Sequence, residues 1–437
     1  MTSAGTQHRT LGEHSFRGLR TVEHLFRLPL DHGDPDGERI EVFAREYRSA
    51  AHPVDVAAKL SWLVFLQGGP GGRGNRVTSL SGWMKEASKD FRILMLDQRG
   101  TGLSTPADRT TLPLRGGSAE QAAYLEHFRA DSIVLDCEAI RMALGSGPWT
   151  VYGQSFGGFC TLTYLSMAPH GLREALITGG LSPLEGPADR VYRATYARLA
   201  ARNAEYFAWY PRDQRRVADI AEHLRGRDER LPDGSRLTPE RFQLVGNYLG
   251  GNTRVDSLHY LLEDAFTRGL DGLRLSDGFL HQVYGTVTRA PNPLYAVLHE
   301  AIYAQGEATG WAAWRVLEEY PEFKPDAAEP LLLGEMVCPW LFDQDPALRP
   351  LKETAELLAE RTDWTSLYDA ARLAQNTVPV APAVYRDDIY VDRELSLETA
   401  ARVRGLRVWE TADFHHDGIS DDGEGIFARL LTMVRED

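Results

Sequence analysis

Cysteine is scarce in this chain: three residues in 437, Cys137, Cys160 and Cys338. An odd, widely spaced set supplies neither a disulfide framework nor the paired spacing of a zinc site. The expectation is three free thiols in a reducing compartment, with no metal and no cofactor. Positive charge is also in deficit. Lys and Arg number 48 against 62 Asp and Glu, a net charge of -14. That balance argues against nucleic acid, whose phosphates need clustered basic side chains. It is compatible with cationic ligands such as peptide amino termini. Long apolar runs are missing too; none approaches the roughly 20 residues of a membrane span. The opening stretch MTSAGTQHRTLGEHSFRGLR lacks the apolar centre of a secretory leader. We therefore expect a soluble, cytoplasmic protein without membrane partners. There is no internal repeat and no low-complexity segment.

What is present is an alternation of strand and helix patterns. Thr21–Leu30 and Ile40–Tyr47 are β-rich and are separated by a polar, Gly/Pro-containing stretch that predicts a hairpin. Short apolar runs follow at Trp62–Leu66, Phe91–Leu96, Trp149–Tyr152 and Glu174–Thr178. Such runs suit strands buried on both faces of a parallel sheet. Ser132–Leu144 and Phe156–Met167 read as helices between them, and the alternation is the α/β signature. From about Pro187 to Ala370 the pattern turns helical. Strand character returns at Thr377–Tyr385 and Leu406–Glu410, and an amphipathic helix over Glu424–Val434 closes the chain. The expected organisation is an α/β domain over residues 1–184 and 371–437, interrupted by a mainly helical cap over 185–370.

Gly153-Gln154-Ser155-Phe156-Gly157 fits G-x-S-x-G and lies between a predicted buried strand and a predicted helix. In that setting the serine occupies a sharp turn with its hydroxyl raised above the sheet, so Ser155 is the candidate nucleophile. The following helix directs its first N–H groups at developing negative charge. A second donor should come from a glycine-rich loop after an earlier strand. Gln67-Gly68-Gly69-Pro70-Gly71-Gly72 follows Trp62–Leu66, making Gly69 and Phe156 the candidate oxyanion donors. Asp97 and Arg99, in the loop after Phe91–Leu96, are expected to pair and fix that loop beneath the site. A serine needs a base, and the base an orienting acid, in the chain order Ser, acid, His. Asp387 and Asp388 follow one late strand; His415 and His416 follow the other.

QGGPGG, DQRGTGLS and GQSFGGF, in this order, resemble the prolyl aminopeptidases, also called proline iminopeptidases, of the α/β-hydrolase superfamily. Gln67 replaces the His of shorter members. LREALITGGL, GEMVCPWLF, AVYRDDIYVD and the late His-x-Gly segment also fit, so the resemblance covers nearly the whole chain. It implies an α/β-hydrolase fold with a helical cap and removal of an unsubstituted amino-terminal proline from peptides, without metal. It assigns the acid to Asp388 and the base to His416. The terminal ammonium calls for a carboxylate in the cap. Glu335 and Glu300, each set among apolar residues, are the candidates, and the resemblance likewise points to cap glutamates. Phe156, Trp340 and Phe342 are candidates for an apolar slot around the proline ring. The rival readings are an esterase or an aminopeptidase of different specificity on the same scaffold, and a non-catalytic binding protein with this fold.

Overall fold

The computed structural model describes residues 6–270 and 272–436. Strands β1 (Gln7–Phe16), β2 (Leu19–Pro29), β3 (Arg39–Ser49), β4 (Ser61–Leu66), β5 (Phe91–Leu96), β6 (Trp149–Gln154) and β7 (Leu172–Thr178) come first in the chain. A small hairpin, β8 (Phe266–Gly269) and β9 (Gly272–Leu275), lies among later helices; β10 (Val380–Tyr385) and β11 (Trp409–Thr411) follow. Among the described residues, nine of these strands form one sheet in the order β1-β2-β3-β5-β4-β6-β7-β10-β11. β1, β2 and β3 run antiparallel, and β3 is antiparallel to β5. From β5 to β11 the strands are parallel.

The continuous apolar runs occupy the middle of this sheet, covered on both faces. Along β4, Leu63 and Phe65 turn to one side, while Trp62, Val64 and Leu66 turn to the other. The first side packs on the helices Gly82–Ala87 and Gly418–Arg435; Ala130–Ala143 and Phe156–Met167 cover the second. Each fully buried Leu, Val or Phe here contributes about 1.5–3 kcal/mol.

The differences from the sequence reading have local causes. β1 has no counterpart among the expected strands. Its side chains are almost all exposed, so no apolar period marks it, and its order comes from pairing with β2. The late strand expected at Leu406–Glu410 is Trp409–Thr411, with Leu406 reduced to an isolated bridge to Val380. The last helix begins earlier, at Gly418, and bends at Asp422, whose φ of -144° and ψ of 63° are not helical. Between β7 and β10 the chain is mostly helical, led by Ala188–Trp209 and Pro211–Gly226; the β8–β9 hairpin there carries no sequence signal. Among the described residues, no helix is long and apolar enough to cross a membrane.

Candidate active site

Ser155 sits at the break between β6 and the helix Phe156–Met167, at φ 54° and ψ -124°. A non-glycine residue with positive φ is strained, and such strain concentrates at functional turns. The corner tolerates it because the residues two before and two after, Gly153 and Gly157, have no side chains. A Cβ on Gly157 would lie 1.9 Å from the Leu66 carbonyl oxygen, and one on Gly153 would lie 2.3 Å from that of Gly157. The Ser155 amide donates to the Thr178 carbonyl at 3.0 Å, which anchors the turn to β7.

The turn brings Ser155 Oγ to 3.0 Å from His416 Nε2. His416 Nδ1 lies 2.8 Å and 3.1 Å from the two Asp388 carboxylate oxygens. Asp388 is buried, and its Oδ1 also accepts from the Tyr390 and Val391 amides, at 2.8 Å and 3.0 Å. These bonds aim the carboxylate at the imidazole and leave Nε2 for the serine. The Tyr390 ring meets His416 edge-on, 4.9 Å between centroids. Burial disfavours the imidazolium, but the Asp388 carboxylate, then Glu335 and Asp417, outweigh it, and His416 is pushed up to about 9. The neighbouring pair is used otherwise. His415 Nδ1 faces the Asp387 carbonyl at 2.9 Å, and the Asp387 carboxylate faces Arg198 at 3.5 Å.

The glycine-rich loop after β4 passes beside the serine; a Cβ on Gly68 would stand 3.2 Å from Ser155 Cβ. The amides of Gly69 and Phe156 have no acceptor among the described residues. Asp97 and Arg99 do not pair with each other. Asp97 accepts from Arg76 Nη1 at 2.7 Å and from the amides of Gly74 and Leu103. Arg99 instead forms a two-pronged bond to the buried Asp136, at 2.6 Å and 2.8 Å. Each charge finds its own partner, half-buried Arg76 for Asp97 and buried Asp136 for Arg99, and both still stiffen the loops under the site.

A cavity of about 390 Å³ opens over Ser155 and His416, with Gly69, Tyr295, Glu335 and Tyr390 in its wall. Burial raises the Glu335 pKa, and Asp388 adds to the rise; His416, the Tyr295 hydroxyl and Arg289 oppose it. A carboxylate whose charge is disfavoured in this way gains from an incoming cation. The other sequence candidates lie elsewhere. Glu300 accepts from the Ala312 and Ala313 amides, at 2.9 Å and 2.8 Å, capping the helix Ala312–Leu317. Trp340 lines a separate cavity with Trp314 and Phe323, and Phe342 is buried against Trp311, 5.5 Å between ring centroids. The Phe156 side chain is buried beside Phe159, away from that cavity wall. Trp340, Phe342 and Glu300 are thus not brought into the wall of that cavity.

Sequence reasoning missed Tyr295, Arg289 and Asn292. Asn292 caps the helix Pro293–Leu298, accepting from the Tyr295 amide at 3.1 Å, and its Nδ2 donates to the Pro70 carbonyl at 3.3 Å. An Asn-Pro pair ahead of an apolar helix is a start signal that would have located this segment. Among the described residues, no cluster of His, Cys, Asp and Glu suits a metal ion.

Residues 61–328 match the α/β hydrolase fold family. A proline iminopeptidase of Aeromonas sobria is 46% identical over 422 residues, covering 96% of this chain and 97% of that one. The proline iminopeptidase aneH of Aspergillus aculeatus is 35% identical, covering 95% and 94%. A solved proline iminopeptidase from Mycobacterium smegmatis aligns with a TM-score of 0.44 at 13% identity, over 93% of this chain and 96% of that one.

Proposed function

The chain belongs to the proline iminopeptidases of the α/β-hydrolase superfamily, and from that premise we propose that Ser155, His416 and Asp388 are its catalytic triad. The activity is that of a serine aminopeptidase releasing an N-terminal proline from peptides. The observation that carries the triad is the unbroken line from Ser155 Oγ to His416 Nε2 at 3.0 Å and from His416 Nδ1 to Asp388 at 2.8 Å.

The chemistry follows from that line. Ser155 Oγ bonds to the carbonyl carbon of the first residue, and its proton passes to His416 Nε2. Asp388 accepts from Nδ1–H, fixing the tautomer and stabilising the imidazolium. The negative oxygen is held by the N–H groups of Gly69 and Phe156; such a donor is worth about 2.7–4 kcal/mol in the transition state. His416 then gives its proton to the leaving nitrogen as the C–N bond breaks. Water, deprotonated by His416, attacks the acyl-enzyme; the bond to Oγ breaks as His416 returns the proton to Oγ, releasing proline and restoring Ser155. Every step runs through side chains and backbone, so the reading calls for no metal or cofactor.

The substrate ammonium is assigned to Glu335, a half-buried carboxylate on the same cavity as the serine. Residues 185–370 are read as the cap that carries this glutamate over the site. Glu300 is not part of the assignment, because its oxygens are already bonded to backbone amides. The test is Ser155→Ala. Turnover of proline p-nitroanilide should fall by about 10⁶-fold, as for other triad serines, while circular dichroism stays unchanged. Activity near the wild-type level would remove Ser155 from the mechanism.

A further inference from the structure

Two arginines line the catalytic cavity, Arg254 and Arg289. They differ in what they do. Arg254 is engaged by Asp417 at 3.3 Å. Arg289 has no carboxylate partner among the described residues. Its Nη1 donates to the Thr286 carbonyl at 3.3 Å, and its Nε is buried without an acceptor. The residue is nonetheless held firmly. Its backbone amide donates to buried Asp345 Oδ2 at 2.7 Å, and its guanidinium carbon stands 5.1 Å from the centre of the Tyr295 ring. Asp345 does not neutralise the guanidinium, because its carboxylate faces Arg241 at 3.7 Å.

An unpaired, stacked guanidinium in the wall of a catalytic cavity is unusual in a chain of net charge -14. A partly buried arginine is normally paired, since its donors are costly to leave unmet. Arg289 lines the cavity, and among the described residues no carboxylate bonds to it there, while its Nε stays buried behind. Glu335 and Arg289 flank the same tyrosine: the Tyr295 hydroxyl is turned toward Glu335, and its ring carries Arg289. The cavity therefore presents a negative and a positive group beside one serine. We propose that Arg289 binds the carboxylate terminus of the substrate, and that the preferred substrates are free dipeptides, Pro-Xaa. This rests on the proline iminopeptidase reading and adds the leaving-group side to it. An extended dipeptide spans at most about 7 Å, so both of its termini fit within one such cavity. The planar guanidinium suits a carboxylate better than an ammonium would.

The test compares kcat/KM for Pro-Ala with that for Pro-Ala amide, using the full-length enzyme, Arg289→Gln and Arg289→Lys. A charge-assisted bond of this kind predicts a wild-type preference for the free carboxylate of about tenfold to a hundredfold. The ratio should collapse to near one in Arg289→Gln and be partly kept in Arg289→Lys. Reading the ratio cancels any general loss of activity. A wild-type ratio near one overturns the proposal, as does a ratio that survives in Arg289→Gln, which would mean that Arg289 only tunes Glu335. Should Arg289→Gln fail to fold, the wild-type ratio and the lysine variant decide. Proline p-nitroanilide separates the two readings. Its turnover with a ratio near one sinks only the carboxylate site, whereas no turnover by the wild type sinks the proline iminopeptidase reading itself.

Discussion

Replacing Glu335 by Gln perturbs two linked quantities, substrate binding and the proton on His416. The first is direct. Loss of a carboxylate that pairs with the substrate ammonium removes about 1.5–3 kcal/mol, so kcat/KM should fall by about tenfold to a hundredfold at its plateau. The second comes from the charge arrangement. His416 titrates at about 9 because Asp388, Glu335 and Asp417 outweigh its burial. A base must be neutral to act. With that value, about one molecule in a hundred carries the neutral imidazole at pH 7. The wild-type kcat/KM therefore climbs about tenfold per pH unit below the pKa, to a plateau that ends where the substrate ammonium loses its proton. The uncharged amide of the Glu335→Gln variant no longer favours the imidazolium, so His416 releases its proton at lower pH and the acid limb moves down. The assay is kcat/KM for proline p-nitroanilide between pH 5.5 and 10, in both enzymes. The substrate's own amine titrates identically in each and cancels in the comparison. An acid limb that stays in place or moves up would refute the electrostatic reasoning. An unchanged plateau would remove Glu335 from amine binding.

Two further outcomes follow from groups that take no part in the proposed chemistry. Glu300→Gln should lower the melting temperature, because one of two buried amides loses its acceptor at a cost of about 1–3 kcal/mol, while the acid limb of the rate profile keeps its position; a shift of that limb would place Glu300 in the electrostatics of the site. Cys160 lies close after the nucleophile but is fully buried, and burial pushes its thiol pKa well up. Since the thiolate is the reactive form, iodoacetamide at pH 8 should leave native activity intact, and rapid inactivation traced to Cys160 would contradict the packing.

What could be read from the sequence divides along physical lines. Ser155 was legible because a strained corner restricts its neighbours: Gly153 and Gly157 stand where any Cβ would strike a carbonyl. The central strands were legible because burial on both faces leaves an unbroken apolar run. β1 was not, since an exposed edge strand carries no such mark and is ordered by β2 alone. The two glutamates show the limit most sharply. Glu335 and Glu300 have the same local signature, a carboxylate among apolar residues, and sequence reasoning treats them alike. Burial raises the pKa of both. Their difference lies in what meets each carboxylate after folding. Two amides at the start of the helix Ala312–Leu317 meet Glu300 and occupy its oxygens. No backbone amide bonds to Glu335 among the described residues, and its oxygens remain toward the cavity, with Tyr295 and His416 as neighbours. Arg289 belongs to the same class. Nothing local marks it as unpaired, because pairing depends on where Asp345 and Asp417 direct their carboxylates, toward Arg241 and Arg254 respectively. Charge complementarity across a cavity is thus a property of long-range contacts. It becomes visible only when each charged group in the wall is followed to its partner and, among the described residues, Arg289 and Glu335 are left without an ion pair.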